Sequence, residues 1–187
     1  MKIGIDLDDT INNLVETWLT KYNYDYEDTV SINDIKSWDL HKYVSCGNDI
    51  YNYLRDGFLF KALGIKKGAV EAIDELMKEH EVYIVTANAH YNYGVCDDKI
   101  DFIKEEIPNF PIENLIFANN KHMIDLDILI DDGLHNLEGF CHYYPIVFDR
   151  PWNRSNDIMS RIYSWDNENL DKLKSIIYSV EKSYEWN

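Results

Sequence analysis

The stretch Lys2-Ile-Gly-Ile-Asp-Leu-Asp-Asp-Thr10 decides how this chain is read. Residues 2–7 have the length and apolar content of a buried strand, and that strand runs straight into acids at 6, 8 and 9. Apolar runs of the same kind recur at 81–86, 114–118, 127–131 and 145–149, with a weaker one at 161–165. Helical patterns lie between them. Residues 68–80 carry apolar side chains at 69, 70, 73, 76 and 77, and a helix over 91–107 is stopped by Pro108. Residues 166–184 begin with Asp166, a good N-cap, and place Leu170, Leu173, Ile176, Ile177 and Val180 on one stripe.

Strands alternating with helices imply an α/β fold, a parallel sheet with helices on both faces. One interval breaks the alternation. Residues 11–65 hold no convincing strand, and helical patterns at 10–22, 32–37 and 49–56 occupy the region instead. A stretch this long is no simple crossover and reads as a small helical cap. The expected organisation is a core of residues 1–10 and 66–187 with a cap of 11–65.

Ligands of such sheets bind beyond the carboxyl ends of the strands. The first strand ends in Asp6-Leu7-Asp8-Asp9-Thr10, the second in Thr86-Ala87-Asn88, and the fourth in Asp131-Asp132; Lys121 follows the third. Carboxylates as close as Asp6 and Asp8 repel each other unless a cation lies between them. A hard divalent ion with oxygen ligands answers that need, Mg2+ suits a few carboxylates plus water and phosphate, and Asp131 and Asp132 supply ligands from a neighbouring strand. Thr86, followed by small Ala87 and amide-bearing Asn88, offers a hydroxyl and backbone N–H groups to phosphate oxygens.

The chain has 187 residues, with 34 Asp and Glu against 18 Lys and Arg, a formal charge of −16. A nucleic-acid polymer needs a cationic face, and so does an anionic membrane; neither is an expected partner. With 45% hydrophobic and 14% aromatic residues the chain can build a packed core. No apolar run approaches the roughly 20 residues that span a bilayer. Asp6 interrupts any leader-like segment, and Cys46, Cys96 and Cys141 have no metal spacing. A reduced, cytoplasmic protein is expected, and a homodimer is compatible with the sequence.

In this order the motifs Asp6-Leu7-Asp8-Asp9-Thr10, Thr86, Lys121 and Asp131-Asp132 resemble the four motifs of the haloacid dehalogenase-like phosphatase superfamily. The segment between the first two matches the cap that the superfamily can carry there. Within it, the chain is most similar to the 5'(3')-deoxyribonucleotidase family and its bacterial relatives. The cues are Gly57-Phe58, Gly68-Ala69, Leu129-Ile-Asp-Asp132 and Tyr163-Ser-Trp165. The resemblance implies a Rossmann-like core and Mg2+-dependent hydrolysis of a phosphomonoester through an aspartyl-phosphate. Asp6 would be the nucleophile, Asp8 the general acid/base, and Thr86 and Lys121 the holders of the phosphoryl group. Mg2+ would be bound by the Asp6 carboxylate, the Asp8 main-chain carbonyl and Asp132, with Asp131 acting through water. The implied substrate is a nucleoside monophosphate; another small ester, such as a sugar phosphate, is the alternative. Two positions depart from the family: Ala87 stands where it often has Ser, and Leu14 where it has an aromatic ring.

The segment 11–65 is rich in aromatics, including Trp18, Tyr22, Trp38, Tyr51, Tyr53 and Phe58. Trp18, Trp38 and Tyr53 are the candidates for stacking on a nucleobase, and a small helical cap also needs aromatics as its own core. Arg150 and Asn153, in Asp149-Arg-Pro-Trp-Asn-Arg154, have two equal readings, as braces of the phosphate or the acidic pair and as ordinary loop contacts. Three other classes compete. A signalling receiver domain places its acids before the Thr and Lys and has no room for residues 11–65. A non-catalytic binder on this fold could dispense with Asp8. The dehalogenase branch lacks the second Asp.

Overall fold

The structure, a computed structural model, describes residues 1–55, 57–88, 94–139 and 142–185. Strands β1 (Lys2–Ile5), β2 (Glu81–Thr86), β3 (Leu115–Phe117), β4 (Ile128–Asp131), β5 (Tyr144–Phe148) and β6 (Ser160–Ile162) form one sheet. Its order is β3-β2-β1-β4-β5-β6, and every neighbouring pair is parallel. Alternation along the strands divides the interior in two. Ile3, Ile5, Ile84, Ile130 and Ile146 belong to one core, and Val85, Leu129 and Val147 to a second with Leu126, Leu137 and Tyr143. Burial on both faces is why these strands are almost wholly apolar. On the second face a Cβ at Gly4 would lie 2.5 Å from Leu126 Cδ1, so the central strand carries no side chain there.

The helices are α1 (Leu14–Tyr26), α2 (Gly57–Lys61), α3 (Ala69–Leu76), α4 (Val95–Glu106), α5 (Leu134–Leu137) and α6 (Asn167–Glu185). Asp166 caps α6 as its residue type predicts, its Oδ1 accepting the Asn169 N–H at 2.9 Å. Before α3, Gly68 adopts φ +84°, and a Cβ there would fall 2.3 Å from the Trp165 carbonyl oxygen. No helix among the described residues is long and apolar enough to cross a membrane.

Between β1 and α3 the chain is helical, but less regular than its pattern predicts. The helix expected over 10–22 begins at Leu14 because residues 9–13 are taken up in a turn. The N–H groups of Ile11 and Asn12 both donate to Leu7 O at 3.0 Å. Asp9 has φ +59°. The pattern at 32–37 yields only a 3-10 turn, Ile32–Asp34, closed by Ser31 and Asp34 capping each other. The pattern at 49–56 becomes a 3-10 helix, Gly47–Arg55. The two ends of this segment are stitched together. Asn13 N–H donates to Gly64 O at 3.1 Å and Lys66 N–H to Ile11 O at 2.8 Å. Gly64 N–H donates to Asn13 Oδ1 at 2.7 Å. Residues 56 and 91–93 of two predicted helices, the Phe58 side chain and Cys141 lie outside the described residues.

Candidate active site

Register sets the strand ends level. Ile5 pairs with both Ile84 and Ile130, so Asp6 emerges between the ends of β2 and β4. The carboxylates of Asp6, Asp131 and Asp132 are buried and lie within 4.8 Å of one another. Lys121, also buried, donates to Asp6 Oδ1 and, at 2.7 Å, to Asp131 Oδ2. Asp131 is held further by the Gly133 N–H at 2.8 Å and Asn136 Nδ2 at 3.1 Å. Asp132 Oδ2 accepts from Trp152 Nε1 at 2.8 Å.

The cluster is electrostatically unbalanced. Burial pushes the Asp6 carboxyl up to about 7; Lys121 opposes this, while Asp131 and Asp8 add to it. Burial, then Asp131, Asp6 and Asp9, holds Asp132 well above the usual carboxylate range. Burial alone would lower Lys121, but Asp131 and Asp6 outweigh it and hold the ammonium charged. Three buried carboxylates facing one ammonium form a donor set that fits a hard divalent cation.

Asp8 stands apart from this cluster, its side chain 22% exposed. Asn12 Nδ2 donates to its Oδ1 at 2.9 Å. The same Asn12 accepts, through Oδ1, the N–H groups of Asp9 at 3.0 Å and Leu14 at 3.1 Å. One amide therefore fixes Asp8, the left-handed Asp9 and the start of α1. On its other side Asp8 meets Lys99 of α4. Lys99 is 2% exposed. Its Nζ donates to Asp8 Oδ2 at 2.6 Å, Thr86 Oγ1 at 2.8 Å and Ala87 O at 2.8 Å.

A cavity of about 240 Å3 opens beside Asp8 and Lys99. Leu14, Val15, Trp18, Ile35, Trp38, Leu40, Tyr51, Ala87, Asn88 and Trp152 are among its walls. Trp18 gives it only a ring face, since Nε1 donates to Ile50 O at 3.1 Å. Asn88 Oδ1 is buried without a hydrogen-bond partner among the described residues. Thr86 lies fully buried behind the wall, under Lys99.

Of the sequence candidates, Asp6, Lys121, Asp131 and Asp132 converge at the acid cluster, and Asp8, Ala87, Asn88, Trp18 and Trp38 at the cavity. Tyr53 does not join them. Its hydroxyl donates to Asp25 of α1 at 2.6 Å, and Tyr51, two residues earlier, takes the place on the wall. With three residues per 3-10 turn, residues two apart point to different sides. Sequence reasoning overlooked Lys99 and Asn12. The signal for Lys99 was legible: it occupies the inward stripe of α4 with Val95, Phe102 and Ile103, where a lysine needs a partner. The role of Trp152 had no signal beyond the loop it sits in.

A parallel sheet with acids after β1 and β4, a threonine closing β2 and a lysine after β3 defines a haloacid dehalogenase-like hydrolase. The fold agrees with solved structures. A haloacid dehalogenase-like protein of Agrobacterium tumefaciens superposes with TM-score 0.59 at 9% identity, over 96% of this chain and 98% of that one. A haloacid dehalogenase-like family hydrolase of Xanthomonas campestris superposes with TM-score 0.55 at 11% identity, over 97% and 98%. Residues 1–176 match the family described as 5' nucleotidase, deoxy (pyrimidine), cytosolic type C protein. The chain is 41% identical over 165 residues to the 5'(3')-deoxyribonucleotidase of Clostridium acetobutylicum, covering 87% of this chain and 89% of that protein. It is 35% identical over 164 residues to the 5'(3')-deoxyribonucleotidase of Bacillus subtilis, covering 88% and 94%. The chain belongs to this nucleotidase family and is a phosphomonoester hydrolase.

Proposed function

We propose that the protein removes phosphate from deoxynucleoside monophosphates, with Asp6 as nucleophile and Mg2+ as its metal. The observation that carries this reading is the position of the cavity, aromatic and largely apolar, lined by Asp8 and by Trp152, which donates to Asp132 of the acid cluster. A nucleobase buries well against Trp18, Trp38, Tyr51 and Leu14. A sugar phosphate would leave hydroxyls unpaired against the same walls.

Asp6 attacks phosphorus to form an aspartyl-phosphate, and Asp8 gives its proton to the departing ester oxygen. Asp8 then takes a proton from water, whose oxygen attacks the same phosphorus. Phosphate leaves and the Asp6 carboxylate is regenerated. Lys121 and the backbone N–H of Ala87, on the cavity wall, hold the phosphoryl oxygens; the Thr86 hydroxyl, buried and accepting from Lys99, and the Asn88 N–H, donating to Asn119 Oδ1 at 2.9 Å, are engaged elsewhere. Asn12 and Lys99 aim Asp8. Asp6, the Asp8 carbonyl and Asp132 would hold Mg2+, with Asp131 supporting it, and the ion would supply charge neutralisation on the phosphoryl oxygens. In this reading residues 11–65 act as a cap over the core of 1–10 and 66–187.

The test is phosphate release with Mg2+ over a panel of 5'- and 3'-deoxynucleotides, ribonucleotides and sugar phosphates. Deoxynucleotides should lead the panel; turnover of sugar phosphates with none of nucleotides would overturn the assignment.

A further inference from the structure

The loop that follows β5, Asp149-Arg-Pro-Trp-Asn-Arg154, reaches three parts of the molecule at once. Trp152 donates from Nε1 to Asp132 Oδ2 at 2.8 Å, and Asn153 Nδ2 donates to the Asp132 carbonyl at 2.9 Å. Asp132 is thus gripped at both its side chain and its main chain. Arg150 pairs with Glu16 of α1 and lies 3.5 Å from Asp9. Its guanidinium also sits 5.2 Å above the Trp152 ring. The Trp152 side chain also lines the cavity. Trp38 meets it edge-on, with ring centroids 5.6 Å apart and planes at 66°. Trp152 is only 7% exposed, whereas Trp38 is 55% exposed.

A side chain that orients a metal-binding carboxylate sharpens the metal site without touching the metal, and its loss typically weakens binding by about 10–100-fold. Here the orienting group is also a wall of the cavity, so its placement depends on what fills the cavity and on Trp38. We propose that Trp152 is a positioning residue that ties the Asp132 carboxylate to the cavity wall, so that divalent metal and nucleoside each favour binding of the other. Linkage makes such coupling reciprocal. The inference rests on the reading of Asp132 as a metal ligand.

The test is calorimetric titration of Mg2+ into the full chain, with and without a saturating unphosphorylated deoxynucleoside. Wild type should bind Mg2+ and bind it more tightly with the nucleoside present. Trp152→Phe, which keeps a ring but loses the N–H donor, should bind Mg2+ about 10–100-fold more weakly. It should fold, with a metal-free melting temperature lower by about 2–12 °C for the lost buried hydrogen bond, and the nucleoside effect should shrink. If wild type binds no Mg2+, the metal reading itself fails. If wild type binds and Trp152→Phe binds within twofold of it, only the role of Trp152 fails. Should Trp152→Phe not fold, 15N-labelled wild type decides. An indole N–H resonance, traced to Trp152 through Trp→Phe variants of the other four tryptophans, must shift on Mg2+ addition; an unmoved resonance overturns the proposal.

Discussion

Replacing Lys99 by Met asks what a buried ammonium does beside Asp8. Met preserves most of the stem that packs in the α4 stripe, so the change is close to a removal of charge and donors alone. Three hydrogen bonds disappear: to Asp8 at 2.6 Å, Thr86 at 2.8 Å and Ala87 O at 2.8 Å. Removing one partner of a buried ion pair costs about 3–5 kcal/mol when the other charge is stranded. Asp8 is not fully stranded, since its side chain is 22% exposed to the cavity. Thr86 Oγ1, at 0% exposure, has no such relief. The net loss should therefore be about 2–4 kcal/mol, a fall in melting temperature of roughly 4–16 °C for a chain of this size. Turnover should fall further than stability alone explains. Asp8 loses one of its two fixed partners, and misplacing a general acid/base costs about 10²-fold or more. Lys99→Arg should rescue poorly, because a planar fork cannot aim at all three acceptors. Thermal melts and steady-state phosphate release measure both effects. A Lys99→Met protein that melts within a degree of wild type and turns over at the wild-type rate would refute the reasoning.

Two further outcomes follow from the site. The Asp6 carboxyl titrates at about 7 in the folded, metal-free protein and near 4 when unfolded. Its raised value means the folded state holds the extra proton: that contribution to stability is full below about pH 4 and is lost as pH rises through 7. Metal-free melting temperature should therefore fall across that window, and the stabilisation by added Mg2+ should grow; a Mg2+ effect that shrinks as pH rises counts against the cluster as its site. On the wall, Tyr51→Ala should raise KM by about 5–100-fold through lost stacking and packing, whereas Tyr53→Phe should leave KM within about twofold. Equal effects of the two changes would contradict the placement of Tyr53 away from the cavity.

The sheet was readable because β1 to β5 are short, mostly apolar runs closed by acids, hydroxyls or small residues, and a doubly covered parallel sheet admits little else; the edge strand β6, Ser160-Arg-Ile162, has one apolar residue and gave only a weak signal, read at 161–165. The acid cluster was readable for the same reason: Asp6, Asp131 and Thr86 are the last residues of strands, or follow directly, and register brings strand ends together. The region 11–65 was less readable. Its helices start and stop where Asn12, Asn13 and Gly64 stitch the two ends together, a long-range event that no local pattern encodes. Tyr53 and Tyr51 show the same weakness at the scale of one turn, since α and 3-10 periods assign opposite faces within a few residues. Lys99 was legible as a charged intruder on an apolar stripe, but its partner lies 91 positions away. Trp152 depends on a loop crossing to β4, and only tertiary structure brings it to Asp132.

The proposed phosphatase activity depends on Asp6 as nucleophile and on a divalent metal. The direct measurement is phosphate release from a deoxynucleoside monophosphate by wild type and Asp6→Asn, each with Mg2+ and with a chelator, on protein shown by circular dichroism to be folded. Wild type with Mg2+ should turn over, and the other three conditions should sit at background. Asp6→Asn releasing phosphate at the wild-type rate would contradict the account.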